Sequence, residues 1–202
     1  MNKKGKIPPE TKMFNIMELV YALHNLPRTG WINRGVENSE TVGQHNDELD
    51  LLAEKVCEER PDLDKKKLKT MLLVHDWPEY IWGDQVTAVE DPELRKKLLA
   101  IKKTGETLSM ELLAKQLGSE YGDVLSLWKE YEEIKTPEAV MAKQLDKFQS
   151  IVKAWEYEKS NNGKVRTYDF IDYYREAITE PLLVSWLAEL EEEIKNTKSA
   201  LK

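Results

Sequence analysis

The sequence predicts an all-α fold, and three observations carry that prediction. Apolar residues recur at spacings of three and four along most of the chain. Helix openings such as Asp91-Pro92-Glu93 and Thr136-Pro137-Glu138 punctuate it, and no segment sustains an alternation of β-branched residues. A chain of 202 residues is long enough to bury its own core as a single domain.

Taken in order, Met13, Ile16, Met17, Val20 and Leu23 share one face of a first helix, which Pro27 ends. Residues 28–43, RTGWINRGVENSETVG, hold three glycines, two asparagines and no sustained period, so a long ordered loop is expected. His45, Leu49, Leu52 and Val56 form the stripe of a second helix that stops before Pro61 and turns His45 inward. A third opens on Asp64 as N-cap and runs through Leu68, Met71 and Leu72 to His75, again bringing a histidine in line with core residues. IWGDQVTAVE, residues 81–90, is the one stretch where a short extended piece is expected.

Asp91-Pro92-Glu93 starts a helix reaching Gly118, with an interruption expected at Gly105. Val124, Leu127, Trp128 and Tyr131 mark a short helix, and Thr136-Pro137-Glu138 opens one that passes Asp146, Gln149 and Val152 to Trp155. SNNGK at 160–164 reads as a turn, TYDFIDYYREA at 167–177 as a helix and PLLVSWLAELEEEIKN at 181–196 as a last amphipathic one. Trp155 and Tyr157 are read as core, and Lys65 to Lys67 as a solvated face.

Composition limits the function classes. Charged residues make up 33% of the chain, and the mean hydropathy is −0.61. The amino terminus, MNKKGKIPPETK, leads into prolines instead of a continuous apolar run, so neither a signal nor a membrane span is expected and the location expected is cytoplasmic. Cys57, the single cysteine, has no partner for a disulfide and is read as inert packing. A net charge of −7 argues against binding a nucleic-acid polymer through its backbone. A small anionic substrate would need help from a local cation. No P-loop, GxGxxG or internal repeat is present.

The histidines point to chemistry. There are three, His24, His45 and His75, and two of them lie on inward faces, one followed by Asp76. A lone inward histidine is ordinarily a satisfied core residue. Two of them with an adjacent carboxylate suit a divalent first-row metal, and ligands drawn from separate helices leave coordination positions open. A cation there would bring a water's pKa toward neutrality and neutralise phosphoryl oxygens.

His45, His75-Asp76 and Asp146 together resemble the H…HD…D signature of the HD-domain metal-dependent phosphohydrolases. The likeness extends, in order, through RTGW at 28–31, RGV at 34–36, ETVGQH at 40–45, HDWPEYIWGD at 75–84, LWKEYE at 127–132 and KQLDK at 143–147. This ordered set is similar to the 5′-deoxynucleotidase branch. The resemblance implies a single HD-type helical domain over 1–202, with a core over roughly 14–158 on which C-terminal helices at 167–196 pack. It implies a homodimer, and one divalent transition metal held by His45, His75, Asp76 and Asp146. The reaction implied is hydrolysis of (deoxy)nucleoside 5′-monophosphates to nucleoside and phosphate.

In that resemblance Glu79 and Asp84 are the non-ligand acidic pair that shares proton handling and substrate positioning. Arg28 and Trp31 match a phosphate- or sugar-contacting loop, with Arg34 a second phosphate candidate. Otherwise these would be a solvated arginine and an anchoring tryptophan. Glu40 is either an outer partner of a liganding histidine or a plain acid at a helix start. His24 matches nothing transferable.

The chain departs from the family at Trp77-Pro78, where small or aliphatic residues are expected and a proline is expected to displace Glu79. It departs again at Gly43-Gln44 and Asn46-Asp47 around His45, which is expected to alter the pocket rim. The competing reading is an HD protein of little turnover that binds metal and nucleotide as a sensor or scaffold. The GYP, HDxxED and HPPFGH elements of other branches are absent.

Overall fold

The structure, a computed structural model, describes residues 9–87, 89–118, 121, 123–160 and 164–200, with side chains from residue 15 onward. Its helices are α1 (Pro9–His24), α2 (Thr29–Ile32), α3 (Val42–Glu59), α4 (Lys65–Val74), α5 (Glu79–Trp82), α6 (Pro92–Leu117), α7 (Val124–Glu133), α8 (Pro137–Ser160), α9 (Thr167–Tyr174) and α10 (Pro181–Ala200). A 3-10 turn over Arg175–Ala177 follows α9. There is no strand among the described residues, only an antiparallel bridge between Pro27 and Thr41. The all-α expectation holds.

The sequence places α8 at the centre. Ala139, Ala142, Leu145, Ile151 and Ala154 are fully buried, since α8 has neighbours on most sides: α3, α4, α7, α9 and α10 all pack on it. Small residues let helix axes approach, and the larger ones fill the spaces between. Its main core joins Leu49 and Val56 of α3, Leu68 and Leu72 of α4, Leu145 and Ile151 of α8, and Leu183 and Ile194 of α10. A second cluster joins Leu19 and Leu23 of α1, Val74, Trp77, Met110 of α6 and Trp128 of α7. His45, His75, Asp76 and Asp146 come from α3, the end of α4 and the middle of α8, so helix packing brings them together.

Several expectations are corrected. On α1, Leu19 and Leu23 are buried with Ile16 packed beside them, while Met17 is 58% exposed, because apolar residues occur on both sides of this helix and the spacing alone did not fix the inward one. The side chain of Met13 lies outside the described residues. The 28–43 loop contains the one-turn helix α2, and its Trp31 and Val36 are buried. Residues 81–90 contain no extended strand: Ile81 and Trp82 complete α5, and irregular chain follows through the described residues.

The α6 helix runs unbroken through Gly105. A Cβ there would lie 2.5 Å from the Trp82 indole, so the glycine serves close packing of α5 on α6, not a break. Of the turn expected at 160–164, residues 161–163 lie outside the described residues, while Ser160 ends α8. Cys57 is half-buried, with its thiol pushed up by burial, in keeping with inert packing.

Candidate metal centre and adjoining cavity

The first ligand-type residue is placed by its helix start. Thr41 caps α3 with a reciprocal capping box, its side chain accepting from Gln44 N–H while Gln44 accepts from Thr41 N–H. One turn later His45 is completely buried. Its Nδ1 lies 2.8 Å from Gln149 Oε1. The Gln149 amide nitrogen donates to Glu40 Oε2 at 3.0 Å and to Glu48 Oε2 at 2.8 Å, which fixes the orientation of the amide. Its oxygen therefore faces His45, Nδ1 carries the proton, and Nε2 is left with a lone pair.

His75 is set the same way by different means. It caps the end of α4, and its Nδ1 lies 2.6 Å from Leu72 O, an acceptor only, so Nδ1 again carries the proton. Trp128 Nε1 donates to the His75 carbonyl, and the Tyr131 ring meets the imidazole edge-on at 5.2 Å. The two Nε2 atoms point into a shared space. His45 Nε2 is 3.1 Å from Asp146 Oδ1 and 3.8 Å from Asp76 Oδ2, and His75 Nε2 is 3.1 Å from the same Asp76 oxygen.

Despite those distances neither Nε2 makes a hydrogen bond of acceptable geometry, and both are fully buried. His45, His75 and Asp76 can each offer one atom so that all lie within 4.8 Å of one another. Buried imidazole lone pairs facing carboxylates, with no proton shared between them, are a donor set that fits a divalent cation. The electrostatics agree. Burial would raise Asp76, yet His75, His45 and Arg28 hold it well below the carboxylate range, and His45 and His75 do the same for Asp146. Burial would lower His75, but Asp76 and Asp146 draw it up, so the carboxylates make this place favourable to positive charge.

Trp77-Pro78 leads directly into the start of α5, with Glu79 as its first residue. Pro78 occupies the N-cap position of α5 with φ −53°, where a missing N–H costs nothing, and Trp77 is buried in the second core cluster. Glu79 is consequently buried, with Oε2 unpartnered and Oε1 3.9 Å from Lys102 Nζ. Burial, then Asp76 and Asp84, push its carboxyl well above the usual value. Asp84 is held differently: its Oδ2 accepts from Thr29 N–H at 2.6 Å and its carbonyl from the Thr29 hydroxyl at 2.9 Å. It thereby ties the start of α2 to the chain after α5.

Arg28 precedes α2, and its guanidinium stays charged because Asp76, Asp146, Glu40 and Asp84 outweigh its burial. Trp31 is 3% exposed, stacked 4.9 Å from Phe170 and donating from Nε1 to Glu40 Oε1 at 2.8 Å. Arg34 donates to Gly30 O and lies 4.7 Å from the Phe170 centroid. Arg28, Trp31, Arg34 and Asp84 all line a cavity of about 410 Å³ that continues to Ser150 and to α9. His75, Asp76 and Asp146 line a second cavity with Lys102, Lys103 and Lys143, and Thr87 borders both.

The two readings of Glu40 resolve into one. It is buried, accepts from Trp31 and Gln149, and reaches His45 only through Gln149. Sequence reasoning missed Gln149, Glu48 and Lys153, which pairs with Glu48 and with Glu156. A signal was present: Gln149 is three residues after Asp146 and Glu48 three after His45, one turn apart on the same helical faces. Around His45, two of the departures from the family pattern meet His24 of α1. A Cβ on Gly43 would lie 2.4 Å from the His24 ring, and His24 Nε2 sits 3.0 Å from Asp47 Oδ2, so Gly43 and Asp47 serve the α1–α3 contact. Tyr157 meets Trp31 edge-on within the core, as expected of it.

A model of the HD domain family matches residues 20–181. The chain belongs to the HD-domain family. Among curated members, the protein named 5′-deoxynucleotidase HDDC2 of Dictyostelium discoideum is 36% identical, the match covering 86% of this chain and 93% of that protein. The protein of the same name in Homo sapiens is 32% identical, over 90% of this chain and 85% of its own length. Among solved structures, the PH0347 protein of Pyrococcus horikoshii superposes on this HD domain with a TM-score of 0.67 at 26% identity, covering 94% of this chain and 99% of that one. No helix among the described residues is long and apolar enough to cross a membrane.

Proposed function

We propose that this HD protein is a metal-dependent phosphomonoesterase that hydrolyses deoxynucleoside 5′-monophosphates to nucleoside and phosphate. One observation carries the reading: two buried imidazole Nε2 atoms, each with its tautomer fixed from behind, face Asp76 and Asp146 without hydrogen-bond partners. The relatives named 5′-deoxynucleotidases support the substrate class. His45, His75, Asp76 and Asp146 would hold a divalent transition metal, and this N/O set accepts manganese, cobalt, iron, nickel, copper or zinc. Such an ion supplies acidification of a water and neutralisation of phosphoryl charge.

The chain's own residues do the rest. Arg28, held charged among carboxylates, pairs with the phosphate, a charge-assisted contact that orients phosphorus for in-line attack. Glu79 has the buried, unpartnered oxygen, so it is assigned the proton that moves between the attacking water and the leaving 5′-oxygen. Asp84, committed to Thr29, holds the Arg28–Trp31 segment in place. Trp31 and Arg34 line the nucleoside side of the cavity, where Trp31 also secures Glu40.

A cytosolic homodimer completes the proposal. Leu94, Ile101 and Leu108 recur every seven residues on α6 and are 45%, 56% and 57% exposed, an apolar seam of the kind that marks association. Light scattering on the purified protein tests the dimer. Phosphate release tests the activity: metal-stripped protein is given single divalent metals and a panel of 5′-dNMPs and 5′-NMPs. Metal-dependent release favouring the deoxy series is expected. Stoichiometric metal binding without turnover for any metal or substrate would overturn it.

A further inference from the structure

The far wall of the 410 Å³ cavity holds residues that the hydrolytic chemistry leaves unused. Phe170, Tyr173 and Tyr174 come from α9 and Arg95 from the first turn of α6. The four aromatic residues of the cavity differ in what they can still offer. Trp31 is buried, and Phe170 is engaged by Trp31 at 4.9 Å and by Arg34 at 4.7 Å. Tyr174 is half-buried and meets Tyr173 edge-on, with ring centroids 4.9 Å apart at 79°. Tyr173 is 58% exposed.

The Arg95 guanidinium carbon lies over one face of the Tyr173 ring, 5.8 Å from its centroid, and Arg95 Nε is buried with no hydrogen-bond partner. A buried guanidinium N–H without an acceptor is a costly arrangement. An acceptor arriving with a ligand relieves it. An exposed aromatic ring next to an unsatisfied donor is the pairing that recognises a nucleobase, by stacking and by an edge contact. The position agrees: Arg28 lies in the same cavity, and Thr87 links it to the cavity bordered by His75, Asp76 and Asp146.

Given a nucleotide hydrolysed at the His45/His75 centre, we infer that Tyr173 and Arg95 form its base subsite, Tyr173 stacking on the base and Arg95 donating to a ring carbonyl. Guanine and thymine present a carbonyl oxygen at the edge where adenine presents an amine, so the subsite favours oxo bases and discriminates dGMP from dAMP. Both residues determine specificity and take no part in bond breaking.

The test uses full-length metal-loaded protein and three substrates: dGMP, dAMP and the base-free 2-deoxyribose 5-phosphate. Wild type should prefer dGMP to dAMP in kcat/KM. Arg95→Met should lower kcat/KM for dGMP about tenfold and leave dAMP within about twofold. Tyr173→Leu should raise KM for both nucleotides by about tenfold with kcat kept. Sugar-phosphate turnover should be unchanged in both variants. Wild-type discrimination and KM in both variants, with turnover intact, would overturn the base subsite, as would loss of sugar-phosphate turnover in both, which would make these residues structural. A wild type that hydrolyses none of the three substrates would instead overturn the phosphomonoesterase reading.

Discussion

Replacing Gln149 by leucine tests how the metal centre is built. The two side chains are similar in size, so the change removes polar contacts and little packing. Gln149 is fully buried and joins three groups: it accepts from His45 Nδ1 and donates to Glu40 and Glu48. Without it, His45 Nδ1, completely buried, and Glu40 Oε2, on a residue 5% exposed, each lose a partner. An unsatisfied buried polar group costs roughly 1–3 kcal/mol, giving about 2–6 kcal/mol for the two. Glu48 adds little, because its side chain is 38% exposed and still pairs with Lys153.

Freed from the amide, His45 can rotate or move its proton to Nε2, which removes the lone pair that faces Asp146. Loss of such an outer partner weakens metal binding 10–100-fold, or about 1.4–2.7 kcal/mol. Urea unfolding of the metal-stripped protein reads the first quantity, and competition against a chelator of known affinity reads the second. A Gln149→Leu protein that is folded and binds metal as tightly as wild type would refute the tautomer argument.

Other consequences are as specific. Asp76→Ala is expected to lose metal and phosphate release together, whereas Glu79→Gln keeps full metal content and loses turnover; metal analysis beside the release assay separates the two, and normal turnover in Glu79→Gln would remove its assigned role. Gly105→Ala places a methyl 2.5 Å from the Trp82 indole. Trp82 must shift, at a cost of about 1–3 kcal/mol, and α5 with Glu79 shifts with it, so both unfolding midpoint and kcat should fall. For Glu138, burial raises the carboxyl, but Asp64 N–H, its own N–H and Lys67 hold it below its ordinary value of 4.5. Its stabilisation is therefore present above that value and is lost as pH falls through the depressed value. Glu138→Gln should lower Tm at pH 7 and show a shallower fall in Tm between pH 5 and about pH 3 than wild type, as read by thermal scans.

Much of this architecture is legible in the sequence because helices impose a local period. A 3.6-residue repeat fixes which residues share a face, and this placed His45 and His75 inward, set Asp76 beside one of them and located the caps at Asp64, Asp91 and Thr136. Where a helix has apolar residues on two sides, as α1 has at Leu19 and Met17, the period identifies a helix and not its buried side.

Only the tertiary structure decided the rest. It set Asp146 of α8 3.1 Å from His45 Nε2, placed the Gln149 amide behind His45, and separated Glu79 with its free oxygen from Asp84 bound to Thr29. It also showed that Gly43 makes room for His24 and Gly105 for Trp82. Each of these depends on how helices far apart in the chain cross. Crossing angles are fixed by the summed packing of many side chains, so no short run of residues states them.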